Sequence, residues 1–341
     1  MIKVLVVEDS LVFQKLLVDN LNKDPTIEVV ATARDPFEAR DKIIEYEPDV
    51  MTLDIELPRM NGLEFLRKLM PQYPIPVIVI SVLSDKVFDA MHAGAVDFVA
   101  KPISSNAQSI KEFVQQELPG KIKIAANAKL MRRQLKATSQ KCVDSKNVAN
   151  KNLVVAIGAS TGGTEAIAEV LKEFDTNIPG IVIVQHMPQG FTKMYANRLD
   201  QQCKIEVKEA KTGDVITPGT AFLAPGGDAH MEVVKVNSQY QVVIKKGPKV
   251  NGHCPSVDVL FHSVANVVGK NALGIILTGM GGDGAKGLLA MRQAGAKTIG
   301  QDASSCVVYG MPRVAYELGA VECQEKIYNI AKKTYQVLKN M

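Results

Sequence analysis

A serine framed by glycines, Gly158-Ala159-Ser160-Thr161-Gly162-Gly163, follows the apolar run Leu153 to Ile157 in this 341-residue chain. The pattern reads as a sharp turn between a buried strand and a helix opening near Thr164. Such a turn lifts a serine hydroxyl out of a sheet, and backbone N–H groups at the helix start can stabilise an oxyanion. A nucleophilic serine also needs a base and a group to orient that base. Of five histidines, His186 alone ends a clearly buried run of the second half, where a parallel neighbour strand would set it beside Ser160. A third run, Ala272 to Leu277, ends in Thr278-Gly279-Met280-Gly281-Gly282-Asp283-Gly284. Its glycines permit close backbone approach, Asp283 can orient His186, and the Met280 N–H is a candidate second oxyanion donor. Singly these are a turn, a core histidine and a loop. Their coincidence at three strand ends points to a Ser160–His186–Asp283 triad.

The chain order Ser, His, Asp differs from the Ser, Asp, His of α/β-hydrolases, so the motif does not place the domain in that fold. A dinucleotide cradle fits poorly. The glycines do not form G-x-G-x-x-G, and Gln185-His186 stand where a ribose-binding acid is expected.

A second set of reactive residues lies in the first 120 positions. Glu8-Asp9 end one apolar run, Asp54 another and Ser81 a third, while Lys101-Pro102 follow a fourth. In a doubly wound sheet these points converge on one edge. Three close carboxylates repel one another unless a cation joins them, and a hard, oxygen-lined site suits Mg²⁺. Asp54 can then attack a phosphoryl donor while Lys101 and Mg²⁺ neutralise the developing charge, and Ser81 can donate to the aspartyl phosphate.

The elements that must hold these residues are legible as pattern. Val4–Val7, Glu28–Ala31, Val50–Leu53, Val77–Ile80 and Asp97–Val99 read as five strands, separated by amphipathic helical stretches. The alternation predicts a parallel, doubly wound sheet. From residue 152 a second α/β pattern begins, with strands expected at 153–157, 181–185, 273–277 and 297–301. A β-hairpin excursion is expected over about 205–246. Charge divides the chain likewise. Residues 1–120 carry 12 Lys+Arg against 19 Asp+Glu, and residues 121–150 carry 8 against 1. This gives an acidic domain (1–120), a basic connector (121–150) in which Ala125 to Ala137 could form a helix, and a second domain (151–341).

No run of about 18 apolar residues predicts a membrane span, and the N-terminus does not read as a secretory signal. The five dispersed cysteines lack any C-x-x-C pair, which suits a reducing cytoplasm and argues against zinc. A DNA-binding output would need a compact helix-turn-helix with a basic recognition helix. The near-neutral α/β second half does not match that.

The first domain resembles the response-regulator receiver family. The resemblance rests on Val7-Glu8-Asp9-Ser10, Leu53-Asp54, Pro58-x-Met60-x-Gly62, Ser81 and Asp97-Phe98-x-x-Lys101-Pro102. It implies a flavodoxin-like five-stranded fold and phosphorylation of Asp54 by a histidine kinase. It also implies a metal site at Glu8, Asp9 and Asp54, and Phe98 at an aromatic switch position. The second domain is similar to the catalytic domain of the chemotaxis protein-glutamate methylesterase family. Beyond the Ser160 and His186 segments, the matches are Leu223 to Gly227, His253-x-Pro255 to Phe261, Leu277 to Gly284, and Gly310-Met311-Pro312.

This second resemblance implies demethylation of glutamate methyl esters on methyl-accepting chemoreceptors, releasing methanol, and deamidation of receptor glutamines. Thr161 and Met280 would line the pocket. The esterase step would use no cofactor, and the protein would be a cytoplasmic monomer that binds no nucleic acid and does not insert into a membrane. Two positions depart from the family pattern: Cys254 stands for the usual Arg, and Ala303 for an acidic residue.

Overall fold

Val4–Val7, Val50–Leu53 and Val77–Ile80, the most continuous apolar runs of the first half, lie in the three central strands of a parallel sheet. Strands covered on both faces are apolar nearly throughout, and these three runs are broken only by the buried Thr52 of the second. The computed structural model describes residues 1–82, 84–102, 107–128, 150 and 152–341. It divides into two units, Met1–Leu130 and Met131–Met341.

The first unit runs β1 (Ile2–Val7), α1 (Leu11–Leu21), β2 (Ile27–Ala33), α2 (Pro36–Tyr46), β3 (Val50–Asp54), α3 (Gly62–Leu69), β4 (Val77–Ser81), α4 (Lys86–His92) and β5 (Asp97–Ala100). The strand order is β2-β1-β3-β4-β5, all parallel. Side-chain oxygens of Ser10, Asp35 and Asn61 accept from the first free N–H groups of α1, α2 and α3 and so start each helix. The expected five-stranded parallel fold is the one observed.

The unit continues through α5 (Ala107–Glu112), a π-helical turn (Phe113–Glu117) and α6 (Leu118–Ala125). Leu118, Ile122 and Ala125 share one buried helical face, and Lys121 Nζ lies 2.7 Å from Asp97 Oδ1. The first unit thus extends past residue 120, where the sequence placed the start of the connector. Positions 129–149, which hold most of that connector and of the helix expected to Ala137, lie outside the described residues.

The second unit comprises β6 (Val154–Ala159), α7 (Gly163–Lys172), β7 (Gly180–Gln185), α8 (Phe191–Gln202), β8 (Glu206–Glu209), β9 (Thr220–Leu223), β10 (Ala229–Val236), β11 (Gln239–Lys246), α9 (Val257–Val267), β12 (Ala272–Ile276), α10 (Ala285–Gln293), β13 (Lys297–Gln301), α11 (Met311–Glu317), β14 (Cys323–Glu325) and α12 (Ile327–Leu338). Seven strands form one parallel sheet in the order β14-β13-β12-β6-β7-β9-β8. Only β10 and β11 form the antiparallel hairpin expected over 205–246. β8 and β9, within that span, join the main sheet instead, and β14 was not expected at all. β8, β9 and β14, of three or four residues each, carry too little periodicity of their own to be told apart.

From β6 the chain moves outward to β7 and the edge strand β8, places β9 between those two, and later lays β12 on the other side of β6. The C-terminal ends of β6, β7 and β12 therefore form a topological switch point, where α/β sheets bind ligands. One face of the sheet, with Val154, Ala156, Val182 and Val184, packs on Leu260, Phe261 and Val264 of α9 and on Met231, Val233 and Val242 of the hairpin. Alternation turns Val155, Ile157, Ile181 and Ile183, all fully buried, to the opposite face. Among the described residues no helix is long and apolar enough to cross a membrane.

Two glycines decide how closely α9 approaches. A Cβ on Gly158 would lie 2.2 Å from Val257 Cγ1, and one on Gly284 would lie 2.5 Å from the same atom. Val257, first residue of α9, is seated between them. Gly158→Ala should therefore force α9 outward and cost about 1–3 kcal/mol of stability. Urea denaturation of the full chain checks this; an unchanged midpoint would show that Val257 yields freely.

Candidate active site

Ser160 follows the end of β6, and its N–H donates to the Thr278 carbonyl at 3.0 Å, tying it to the loop after β12. His186 follows the end of β7, where its N–H donates to the Ala159 carbonyl. Adjacent parallel strands thus bring the two side chains together. His186 Nδ1 lies 3.1 Å from Ser160 Oγ, and Nε2 lies 2.8 Å from Asp283 Oδ2. Against an ionised Asp283, Nε2 carries the proton, which leaves the Nδ1 lone pair to accept from the serine hydroxyl. The three residues singled out in the sequence form one continuous hydrogen-bonded chain.

The other expected contributors stand close by. Thr161 is buried, and its carbonyl accepts from Thr278 Oγ1. Met280 is about half exposed. It follows Gly279, whose missing Cβ would sit 2.7 Å from Ser160 Cβ. Its backbone therefore passes directly beside Ser160.

Asp283 is 2% exposed, so its charge must be satisfied by protein. Five donors do this. His186 Nε2 and the Val257 N–H reach Oδ2, while Ser256 Oγ, Asn251 Nδ2 and, at 3.3 Å, the Asp258 N–H reach Oδ1. Ser256 to Asp258 open α9, so the positive end of its dipole faces the carboxylate. Burial pushes the Asp283 pKa up, but the hydrogen bonds from His186, Asn251 and Ser256 outweigh it. The group is held well below the usual carboxylate range.

Sequence reasoning named Asp283 but missed most of this support. Gln185 is a further case. Its Nε2 donates to the carbonyls of both Ser160 and His186, at 2.9 and 3.2 Å, and so joins the nucleophile turn to the base. A polar residue closing an otherwise apolar strand was the only signal available. Cys254 lies away from the triad, with Sγ 3.6 Å from His230 Nε2.

In the first unit, Glu8, Asp9 and Asp54 each place a carboxylate oxygen within 4.8 Å of the others. Lys101 Nζ donates to both Glu8 oxygens at 3.0 Å and to Asp54 Oδ2 at 2.8 Å. It also lies 4.5 Å from the centre of the Phe13 ring. Burial and the Asp54 charge lift the Glu8 carboxyl to about 7 despite the Lys101 hydrogen bond. Ser81 ends the adjacent strand, its hydroxyl donating to the Val82 carbonyl. Phe98 stands apart from the carboxylates, buried edge-on to Phe88 with Lys121 Nζ 5.8 Å from its ring centre. Three hard oxygen donors with a surplus of negative charge fit Mg²⁺.

Residues 155–334 match the CheB methylesterase family, and residues 4–115 match the response regulator receiver domain. A protein-glutamate methylesterase/protein-glutamine glutaminase from Syntrophomonas wolfei is 56% identical over all of this chain and 98% of its own length. One of the same name from Syntrophotalea carbinolica is 50% identical over 99% of this chain and 98% of its own. The crystal structure of the Thermotoga maritima CheB methylesterase catalytic domain matches 54% of this chain and 98% of its own. That match has 36% identity and a TM-score of 0.53.

The Glu8 shift yields a pH-dependent response to metal. A carboxyl whose folded pKa is raised from 4.5 to about 7 contributes stability below 4.5 that is lost as pH rises to 7. Above pH 7 a cation can occupy the three carboxylates freely, whereas at pH 5 it must displace the Glu8 proton. Saturating Mg²⁺ should therefore raise the melting temperature of the first unit more at pH 8 than at pH 5. An equal or larger rise at pH 5, read by calorimetry on the full chain, would contradict the arrangement.

Proposed function

Because this chain belongs to the CheB methylesterase family and carries a receiver domain ahead of the catalytic one, we propose that it is a phosphorylation-activated serine hydrolase. Its substrates are γ-glutamyl methyl esters of chemoreceptors, from which it releases methanol, and receptor glutamines, which it deamidates to glutamate. The observation that carries the reading is the unbroken chain Ser160 Oγ, His186, Asp283 at 3.1 and 2.8 Å.

Ser160 Oγ attacks the γ-carbonyl as its proton passes to His186 Nδ1. The oxyanion rests on backbone N–H groups from the start of α7 and from Met280, beside the buried Thr161. The low pKa of Asp283 keeps it ionised, so it stabilises the imidazolium without taking the proton. His186 then gives that proton to the leaving group as its bond to the γ-carbon breaks, so that it departs as methanol from an ester or as ammonia from a glutamine. Water, deprotonated by His186, cleaves the glutamyl-serine ester and frees the glutamate. These steps use protein groups alone.

In the receiver, Asp54 takes a phosphoryl group from a histidine kinase of the chemosensory array. Glu8, Asp9 and Asp54 would hold the Mg²⁺. When bound, that ion supplies charge neutralisation for phosphoryl transfer. Lys101 orients the Asp54 oxygens, and Ser81 and Phe98 respond to the new phosphoryl group. Membership of the family supports a cytoplasmic setting.

The test is methanol released from receptor membranes carrying labelled methyl groups. Ser160→Ala should lose on the order of 10⁴-fold or more, His186→Ala nearly as much, and Asp283→Asn less. Substantial release by a folded Ser160→Ala protein would sink the triad. A small phosphodonor with Mg²⁺ should raise release by the wild type and leave Asp54→Asn unchanged. Equal activation of both would remove Asp54 from the control.

A further inference from the structure

A four-residue turn outside the triad touches two of its members. Val250 and His253 exchange backbone hydrogen bonds at 2.9 and 3.0 Å, and Asn251 and Gly252 between them both lie in the left-handed region, at φ 52° and 84°. Asn-Gly is the pair best suited to such a two-residue turn. The turn follows the β10–β11 hairpin and leads into α9.

Asn251 donates its side-chain NH2 to two carboxylates. Nδ2 donates at 2.8 Å to Asp283 Oδ1 and at 2.7 Å to Asp258 Oδ2. A primary amide nitrogen has two protons, so one goes to each acid. Both acids are buried, and Asp258 Oδ1 is already engaged by the Gly287 N–H at 2.7 Å. The amide separates two like charges and sets the rotation of Asp283, which decides where Oδ2 meets His186. Two residues on, the His253 ring stacks on His186 with centroids 3.7 Å apart and planes 10° from parallel. One contact fixes the acid and the other fixes the plane of the base.

We infer that the Val250–His253 turn is a clamp for the catalytic base, with Asn251 and His253 as positioning residues for the hydrolase reaction. The inference rests on the serine-hydrolase reading above. A cleft of about 250 Å³ borders Asn251, His253 and Asp283. Water can therefore enter when the amide is removed and replace part of its hydrogen bonding. The loss should be that of a misaligned base, not of a missing one.

Asn251→Gly is the discriminating variant, because glycine keeps the left-handed backbone while removing the side chain that carries the amide. On the full chain it should lower kcat for methyl release about tenfold, with KM within about twofold. The rate at which a fluorophosphonate labels Ser160 should fall in parallel, since that reaction needs the base but not the receptor. The melting temperature monitors folding. His253 supplies a second arm: His253→Ala should show the same split, and His253→Phe, which retains a stacking ring, should recover most of the rate.

Wild-type labelling rates in folded Asn251→Gly and His253→Ala, with Ser160→Ala unlabelled, would overturn the clamp while leaving the hydrolase reading intact. Labelling that persists in Ser160→Ala would remove the hydrolase reading and the clamp with it.

Discussion

The ion at the centre of the second unit is the Asp283 carboxylate, and the geometry around it follows from the need to bury a negative charge. Left without partners, such a group would take up a proton and could not stabilise an imidazolium. The fold meets the requirement by bringing the start of α9 to the loop after β12, so that Ser256, Val257 and Asp258 all donate to one carboxylate. That approach is possible only because Gly158 and Gly284 leave room for Val257. The first glycine of the serine motif thus acts partly on the acid of the triad, through a helix that begins about a hundred residues later.

The first unit treats its carboxylates in the opposite way. Glu8 and Asp54 are as buried as Asp283, yet the main charge facing them is the single ammonium of Lys101. Glu8 is consequently pushed up to about 7, whereas Asp283 is pushed down. The difference lies in the donors. A helix N-terminus and three side-chain donors make one acid a permanent anion, and the scarcity of donors leaves the other cluster with charge to share. A site kept short of positive charge is suited to taking up a metal ion, and one with its charge fully satisfied is suited to holding an imidazole still.

The hairpin β10–β11 gains a purpose in this light. Its inner residues Met231, Val233 and Val242 pack with α9 and one face of the sheet. The segment that leaves it carries Asn251 and His253 to the triad. An excursion from the main sheet therefore both covers the core and delivers polar groups to the switch point.

Much of this was legible from residue order. Near-continuous apolar runs declared the central strands, since burial on both faces disfavours polar side chains. Strand-end positions of Ser160, His186, Asp283, Glu8, Asp54 and Lys101 declared two sites, since a parallel sheet collects its strand ends on one edge. Local pattern was silent on the short strands β8, β9 and β14, on the extension of the first unit into α6, and on the supporting polar groups. Gln185, Asn251, His253 and Ser256 look like ordinary turn and strand-end residues in the chain. Their partners lie 25 residues away for Gln185 and Ser160, and 32 for Asn251 and Asp283. The sequence by itself determined which residues stand at strand ends, because hydrophobic periodicity is a local property. Only the tertiary structure decided which donors surround each acid, and hence its charge, because those distances are set by how helices pack across the sheet.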